Sequence, residues 1–448
     1  MTSKKPNETA TPHCSRRQLI KYTAGSAVLT GLAGCSGGAV GGGGGGSGGD
    51  GGSGGGGGSG SGSGGSESPV KIGDLSPRTG VASIYGIAKH RAAELAVQEQ
   101  NEAGGLLGRE IELLDPDPQT DNQRYKNLTQ QLILEDNVDM LAGTVLGAAR
   151  EAIRPIIDQN KQLTFVSQQY SGGLCDEYFF NTGPNPTQQM SRMIPYMIEN
   201  FGENVYVPAA DYNFGRNSAA RAKTYIEDAG GTVVGEEFVP LSVSDFTSTI
   251  NRINNNEPDW IMHLLVGNNH QNFFSQLQSS GVNIPVGSTL AMALTYDHLV
   301  LEPPTMEDVY SCMAYFEELP GERNQEFVSA MKDGADIPYV NQSASNHYEA
   351  YKYYFAAVEE AGTTNQQEVA SVLESGDLTI QVPEGEIRMT EAHESTHNVS
   401  LARATAEHEI EFLEEYGSME PTWLQERCSL GPSDESTWDD PVTEWIQA

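Results

Sequence analysis

Short apolar runs alternate along the chain with segments whose apolar residues recur at helical spacing. Residues 70–75 form a short apolar run bounded by Ser76 and Pro77, which predicts a strand, and the apolar positions from Ile84 to Leu95 predict a helix. Further strands are predicted at 110–114, 138–141, 162–165, 205–208, 232–236, 260–265, near 284 and at 309–315, with helices between them at 123–135, 150–159, 188–200, 216–229, 246–255 and 270–280. Strands that alternate with helices are typical of doubly wound parallel sheets, so the predicted fold class is α/β.

The alternation of strands and helices starts again after Pro186, which predicts two lobes. Helices predicted at 323–332 and 345–361 have no strands of their own, so we expect them to pack on the first lobe. The chain would then cross repeatedly between two doubly wound parallel-sheet lobes, which makes a multi-strand hinge. The predicted boundaries are 69–187 with 318–375 for the first lobe, and 188–317 with 376–448 for the second lobe and a C-terminal tail.

The N-terminal region differs from the rest of the chain in composition. Arg16 and Arg17 precede a short apolar segment, which ends in Leu32-Ala33-Gly34-Cys35. These features, in this order, resemble a twin-arginine export signal that ends in a lipobox. We therefore predict removal of residues 1–34 and a lipid on Cys35. Residues 35–68 are nearly all Gly and Ser, and are predicted to tether the body flexibly to the outer face of the cytoplasmic membrane.

The chain is strongly acidic: 61 Asp and Glu against 26 Lys and Arg give its 448 residues a formal charge of −35. This excess repels nucleic acid and anionic membrane surfaces, so nucleic-acid binding is excluded. The acidic residues are spread along the chain, which favours a halophilic source, because concentrated salt screens their repulsion. An ordinary acidic protein is the alternative. Beyond residue 40, no run of about 18 apolar residues predicts a membrane-spanning helix.

The chain has five cysteines. Removal of Cys14 with the signal and lipidation of Cys35 would leave Cys175, Cys312 and Cys428. An odd number outside the cell permits one disulfide and one free thiol. Our hypothesis is that Cys175 pairs with Cys428.

The segment His393-Glu394-Ser395-Thr396-His397 fits the H-E-x-x-H pattern of zinc proteases. That chemistry needs both imidazoles on one face of a helix. The β-favouring residues around this segment and the lack of an apolar helical stripe instead predict a surface loop that leads into a strand. His397 would then make a local hydrogen bond, and we predict no metal site.

The stretch Phe165-Val166-Ser167-Gln168-Gln169-Tyr170-Ser171-Gly172 is a short apolar run that ends in polar and aromatic side chains and then glycine. Ligands of open α/β sheets bind beyond the carboxyl ends of the strands. The stretch is therefore predicted to be a strand end that faces a ligand. Glutamine amides, which donate and accept hydrogen bonds, suit a small amide.

Several short motifs in one order resemble a known family. They are Asn101-Glu102-Ala103-Gly104-Gly105 with the four residues after it, and residues 169–172, 185–189, 211–214, 230–237, 240–241 and 383–385. Over roughly residues 70–415 the body is similar to the two-lobed extracellular solute receptors of ABC importers for branched-chain amino acids, amides and urea. The urea and short-chain amide branch resembles it most. The resemblance implies the type I periplasmic binding protein fold and a ligand cleft between the lobes.

The resemblance also implies which residues line the cleft. They are Val145, Leu146, Gly147 and Ala148 in a strand-to-helix loop, Val166, Gln168, Gln169 and Tyr170 at a strand end, and Tyr212, Phe214, Gly267 and Asn268 in the second lobe. The family usually places a serine or threonine in the first loop, where this chain has Leu146-Gly147. The alternatives are an ordinary strand-to-helix turn, glutamines that face bulk water, and a Phe214 that only fills the core.

The hypothesis for function is a lipid-anchored binding subunit that captures urea or a short-chain amide and delivers it to an ABC permease with its ATPase. No nucleophile, base and oxyanion donors come together in the sequence, so neither catalysis nor a cofactor is predicted. A branched-chain amino acid is the alternative ligand. A ligand sensor of the same fold is the alternative role.

Overall fold

The computed structural model describes residues 68–172, 174 and 176–421. Its helices are α1 (Ser83–Glu102), α2 (Asn122–Leu134), α3 (Gly147–Asn160), α4 (Pro186–Phe201), α5 (Asn213–Asp228), α6 (Thr247–Asn256), α7 (Asn268–Ser280), α8 (Asp297–Val300), α9 (Glu322–Lys332), α10 (Gln342–Ala361) and α11 (Gln366–Leu373). Its strands are β1 (Val70–Asp74), β2 (Ile111–Leu114), β3 (Met140–Ala142), β4 (Thr164–Val166), β5 (Phe179–Asn181), β6 (Asn204–Ala210), β7 (Thr232–Val239), β8 (Trp260–His263), β9 (Val286–Ser288), β10 (Val309–Met313), β11 (Thr379–Val382), β12 (Gly385–Arg388), β13 (His397–Ala404) and β14 (Ile410–Met419).

The first lobe is built on a five-stranded parallel sheet in the order β2-β1-β3-β4-β5. Every residue of β3, β4 and β5 is buried, as expected for a parallel sheet with helices on both faces. The apolar side chains of α1 and α10 share one core with this sheet, and those of α2 and α3 form a second core. Helix α9 also contributes to the first core, so α9 and α10 both pack on the first lobe, as the sequence predicts.

The second lobe is built on a seven-stranded sheet in the order β14-β13-β10-β9-β8-β6-β7. The strands from β10 to β7 in this order are parallel, whereas β13 and β14 are antiparallel additions. Helices α4 and α5 contribute to one apolar core of this lobe, and α6 and α7 to another. Two doubly wound lobes confirm the predicted α/β fold class.

Within residues 68–421, three segments of the described chain cross between the lobes. Residues 182–185 lead from β5 to α4, residues 314–321 lead from β10 to α9, and residues 389–396 lead from β12 to β13. The first and third crossings lie side by side, because the N–H of Asn181 donates to the carbonyl of His393 at 2.7 Å and the N–H of Ser395 donates to the carbonyl of Asn181 at 3.0 Å. These crossings form the multi-strand hinge.

The predicted start of the second lobe's last segment at residue 376 is wrong. Strands β11 and β12 pair with each other as a separate two-stranded sheet. Alternate residues of β11, Ile380 and Val382, are buried in the first lobe's core together with Ile387 and Met389. The chain therefore stays on the first lobe until the third crossing, and it joins the second lobe only at β13.

Cys312 is a free, buried cysteine in β10. Cys175 and Cys428, the pair proposed for a disulfide, lie outside the described residues, as do Cys35 and the predicted export signal. Within the described part of the chain, no helix is both long and apolar enough to cross a membrane.

Candidate functional site

A cavity of about 220 Å³ lies between the two lobes. The first lobe lines it with the start of α1, the loop from β3 into α3, and the residues that follow β4. The second lobe lines it with the starts of α5 and α7 and with loop residues around Leu290 and Leu294. The cavity is therefore at the carboxyl ends of parallel strands in both sheets, where open α/β sheets bind ligands.

The structure brings most of the predicted site residues together around this cavity. Its lining includes Val145, Leu146, Gly147, Val166, Gln168, Gln169, Tyr170, Tyr212, Phe214 and Gly267. Ala148 is not among the lining residues, because it lies one position further into α3 and is exposed. Asn268 is the first residue of α7, and its side chain lies outside the description.

Four helices begin at the cavity without a side-chain cap. The N-cap residues of α1, α3, α5 and α7 are Ala82, Leu146, Tyr212 and Gly267, and each of the four lines the cavity. The first N–H groups of a helix have no partner within the helix, and the aligned peptide dipoles make that end positive. The sequence predictions placed three of these helix starts in the site, at Leu146, Tyr212 and Gly267, but missed the start of α1 and did not recognise that four converge.

The two glutamines after β4 are fixed by hydrogen bonds from α10 of the first lobe and from α4 of the second lobe. Oε1 of Gln168 accepts a hydrogen bond from the hydroxyl of Ser343 at 2.9 Å. Oε1 of Gln169 accepts from the amide of Gln342 at 3.1 Å and from that of Gln189 at 3.4 Å. Because both carbonyl oxygens are engaged, the glutamines offer the cavity mainly their N–H donors.

Apolar and aromatic groups from both lobes close the cavity. Leu146 and Tyr85 of the first lobe pack in one apolar cluster with Phe214 and Leu294 of the second lobe. The rings of Tyr212 and Phe214 lie 6.1 Å apart. Burial raises the pKa of the Tyr85 hydroxyl, which also contacts the backbone of Gly267 in the other lobe. These contacts across the cleft describe a closed form.

Arg150 and Glu151 are the charged side chains among the described lining residues. They pair with each other at 2.9 Å, and the Arg150 guanidinium lies 5.9 Å from the ring centre of Tyr170. The cavity therefore offers no unpaired carboxylate to a ligand's ammonium group.

Tyr170 connects the cavity to the hinge. Its hydroxyl donates a hydrogen bond to Oε1 of Glu394, which also accepts from Nδ2 of Asn185 at 3.2 Å. Asn185 ends the first crossing and Glu394 lies in the third. Burial raises the pKa of Glu394 to about 8, despite the opposing effect of the two hydrogen bonds. The carboxyl group therefore keeps its proton at neutral pH.

A Ser, a His and an Asp meet in the first lobe in an order that resembles a hydrolase triad. Nδ1 of His347 lies 2.5 Å from Oγ of Ser167, and Nε2 lies 2.5 Å from Oδ2 of Asp74. Ser167 is fully buried and does not line the cavity, so it has no access to a substrate. The hydroxyl of Tyr351 also donates to Asp74, at 3.0 Å. The group is a hydrogen-bonded core network.

The H-E-x-x-H segment ends the third crossing and begins β13, so the predicted loop that leads into a strand is present, but its expected position at the surface is wrong. His393, Glu394 and His397 are buried, because the crossing runs between the two lobes. The His393 ring stacks on Phe180 with ring centres 4.0 Å apart. Nδ1 of His397 lies 2.7 Å from Oε1 of Glu384, outside the motif. The two imidazoles therefore have different partners and do not form a zinc-protease site.

Comparisons with known proteins agree with this architecture. A family model described as periplasmic binding protein matches residues 69–409. The Leu/Ile/Val-binding protein homolog 8 of Brucella abortus is 24% identical over 336 residues, which cover 69% of this chain and 81% of that protein.

Solved structures of ABC transporter binding proteins share the fold. A solute-binding protein of Rhodopseudomonas palustris HaA2 in complex with p-hydroxybenzoic acid superposes with a TM-score of 0.71 at 20% identity, over 80% of this chain and all of that one. The branched-chain amino acid transporter substrate-binding protein of Streptococcus pneumoniae in complex with isoleucine gives 0.70 at 18% identity, over 78% and 99% of the two chains.

Proposed function

The chain belongs to the periplasmic binding protein family, and on that premise we propose that it captures a small carboxylate with an apolar body between its lobes and delivers it to an ABC permease. The coarser part of this function, a substrate-binding component of an ABC transporter for small ligands, follows from the family. The proposal adds the class of ligand.

The observation that carries the proposal is the convergence of four uncapped helix N-termini on one closed cavity. Such ends bind anions, because free N–H groups and the helix dipole act in the same direction. The N–H groups of Gln168 and Gln169 add donors at the same cavity. A carboxylate would be held by neutral donors, and such short-range bonds persist in concentrated salt.

The size of the cavity supports a ligand with an apolar body. A cavity of about 150 Å³ accepts benzene, and this cavity measures about 220 Å³. Tyr212, Phe214 and Val266 offer the apolar surface that a ring or a branched chain would contact. The resemblance in fold to a p-hydroxybenzoic acid complex is consistent with this ligand class.

Two other ligand classes have some support. Urea or a short-chain amide, which the sequence favoured, would suit the paired glutamine amides but would leave much of the cavity to water. A branched-chain amino acid fits the volume and has a carboxylate, and the isoleucine complex shares the fold. Its ammonium would need an acceptor, whereas Glu151 is paired with Arg150. An apolar carboxylate without an ammonium group would fill the cavity and would need no such acceptor.

The family places the body outside the cytoplasm. We further propose that a lipid on Cys35 anchors it to the membrane and that a permease with its ATPase subunits is the partner. A ligand sensor of the same fold is the alternative role. Uptake of labelled ligand by membrane vesicles that contain the permease distinguishes the two roles.

Calorimetric titration of the purified chain in molar KCl tests the ligand class. The panel is benzoate, 4-hydroxybenzoate, isoleucine, leucine, urea and acetamide. We expect an aromatic or branched aliphatic carboxylate to bind most tightly. Binding of urea or acetamide alone would contradict the proposal and restore the amide hypothesis.

One pair of variants tests the helix ends directly. Leu146→Asp places a carboxylate at the N-cap of α3, where it also supplies the missing cap, so the fold should tolerate it. We expect at least about tenfold weaker binding of a carboxylate, because the new charge competes for the same N–H groups, and little change for acetamide. Leu299→Asp, at an exposed leucine of α8, is the matched control. Equal effects of the two substitutions would argue against an anion at α3.

A further inference from the structure

A buried cluster of two carboxyl groups and one imidazole lies outside the ligand cavity. Glu349 belongs to α10, Glu384 lies in the turn between β11 and β12, and His397 is the first residue of β13. One oxygen or nitrogen atom from each of the three lies within 4.8 Å of those of the other two. We call these residues the hinge cluster, because they join first-lobe elements to the strand that enters the second lobe.

The hinge cluster combines two acids in surroundings that disfavour charge. The side chains of Glu384 and His397 are fully buried, and so is Glu349. Burial and the neighbouring Glu384 raise the pKa of Glu349 to about 8, and burial raises that of Glu384 well above its ordinary value. Burial lowers the pKa of His397, so its imidazole favours the neutral form. Two such carboxyl groups ionise together only if a positive charge joins them.

Donors from outside the cluster hold both carboxyl groups. Oε1 of Glu349 accepts from the hydroxyl of Ser345 at 2.8 Å, and Oε2 accepts from Nδ2 of Asn346 at 3.2 Å. Oε2 of Glu384 accepts from the backbone N–H of Asn398 at 2.9 Å. Hydrogen bonds of this kind orient the ligands in metal sites.

The imidazole of His397 has one nitrogen without a close partner. Its Nδ1 lies 2.7 Å from Oε1 of Glu384, whereas its buried Nε2 has no close hydrogen-bond partner, and the ring has only a weaker contact with the backbone of Thr182. A buried polar atom without a partner costs free energy and usually has an explanation. This observation is independent of the acidic pair, and it concerns the side chain whose type most favours a metal ion.

We propose that the hinge cluster binds one divalent transition-metal cation, with Zn²⁺ as its representative. Two carboxylates and one neutral imidazole balance the charge of such a cation and supply the oxygen and nitrogen donors that zinc accepts. Calcium and magnesium prefer oxygen donors alone. Zinc bonds of about 2.0–2.2 Å set neighbouring donors roughly 3.4 Å apart. Nδ1 of His397 and Oε1 of Glu384, which are 2.7 Å apart, would separate slightly, and the more distant donors, within 4.8 Å of one another, would draw in by up to about 1.4 Å. Water would fill the fourth position.

The site would tie α10 of the first lobe to the beginning of β13. Both termini of the third crossing would then be fixed, since β12 already packs on the first lobe. The site does not depend on which ligand the cleft binds. Its expected effect is a more stable chain rather than a new reaction.

Equilibrium dialysis of the metal-stripped full chain against Zn²⁺ in molar KCl tests the site, with bound metal counted by mass spectrometry. The high salt suppresses binding by exposed carboxylates. We expect one equivalent of Zn²⁺ and a higher unfolding temperature. Co²⁺ should give the visible absorption of a nitrogen and oxygen donor set. A wild-type chain that retains no equivalent of either metal would overturn the proposal without any variant.

Variants then locate the ion. Glu384→Gln and His397→Gln should each weaken Zn²⁺ binding at least about 100-fold, because each removes a direct ligand. His393→Gln is the matched control, since His393 is an equally buried histidine of the same segment and stacks on Phe180 instead. Zinc binding that survives both cluster substitutions, or that His393→Gln abolishes equally, would place the ion elsewhere and refute the assignment.

Discussion

Glu394 is the residue through which a change at the cavity can reach the hinge. It accepts a hydrogen bond from Tyr170, a wall residue, and from Asn185, the cap of α4. Its other oxygen, Oε2, is buried without a partner. A buried carboxyl group with an unpaired oxygen favours the protonated form, because ionisation would leave an uncompensated charge.

The raised pKa of Glu394 predicts a pH-dependent stability. The unfolded chain loses this proton near 4.5, whereas the folded chain keeps it up to about 8. Between these two pH values the folded state binds more protons than the unfolded state. The stability that the protonated Glu394 contributes is therefore complete below about pH 4.5 and is lost as the pH rises through about 8. Glu394→Gln resembles the protonated acid and cannot ionise. The variant should therefore gain stability relative to wild type, by about 1 kcal/mol per pH unit from pH 5 to 8.

Urea unfolding at several pH values in constant KCl measures this difference. Glu391→Gln, at an exposed glutamate three residues earlier, controls for the change in composition. Parallel stability curves for wild type and Glu394→Gln would show that Glu394 already carries its charge in the folded chain.

At the scale of elements, side-chain caps occur in the described part of the chain only on helices that begin away from the cavity. The side chains of Asp121, Asn185, Asn341 and Asn365 cap α2, α4, α10 and α11, and none of these residues lines the cavity. The four helices that begin at the cavity have no such cap, and neither have α6, α8 and α9, which begin elsewhere. A helix start without its own acceptor is less stable but is free to bind an external one.

The cap of α4 should be worth more than an ordinary cap. Asn185 forms a capping box with Gln188, and its amide also bonds Glu394 in the third crossing. Asn185→Ala should cost at least about 2 kcal/mol, because a cap and a buried hydrogen bond are lost together. Asn365→Ala, at the cap of α11, should cost about 1 kcal/mol. Chemical unfolding measures the free energy of unfolding of both variants. Equal losses would show that the hydrogen bond between Asn185 and Glu394 adds nothing to the cap.

For the whole molecule, the charge of −35 sets the conditions for stability. Its self-repulsion acts over about 10 Å in 0.1 M salt and over about 3 Å in 1 M salt. We expect the unfolding temperature to fall when KCl is lowered from about 2 M to about 0.1 M. Replacing KCl with sucrose at equal osmolality should not restore it. A temperature that is insensitive to KCl would contradict the halophilic interpretation.

The sequence predicted the elements whose signal is local. Apolar runs and helical spacing were sufficient for the strand and helix alternation of both lobes, and for the packing of α9 and α10 on the first lobe. The resemblance led to ten residues that line the cavity. Strands β5, β11 and β12, of three or four residues each, and the ten-residue β14 were missed. Nearly all of β14 is at least partly exposed, so it has no run of buried apolar residues that would mark it as a strand.

Features that depend on contacts between distant segments could not be predicted. The segment around His393 has the composition of a loop, and its burial depends on its position beside the first crossing. Glu349 and Glu384 are 35 positions apart and meet His397 only in the folded chain. In the sequence, only the Pro383-Glu384-Gly385 turn drew attention to one of these three residues, and it did so only as part of the family resemblance.

The three crossings also determine when each lobe can finish folding during synthesis. The first lobe's core needs residues up to Met389, and the second lobe's sheet needs β14, which ends at Met419. Neither lobe is therefore complete until nearly the whole body has left the ribosome. A nascent chain stopped at Met313 would contain every strand of the first sheet but lack α9, α10 and their core, and no contiguous fragment should yield an autonomous first lobe.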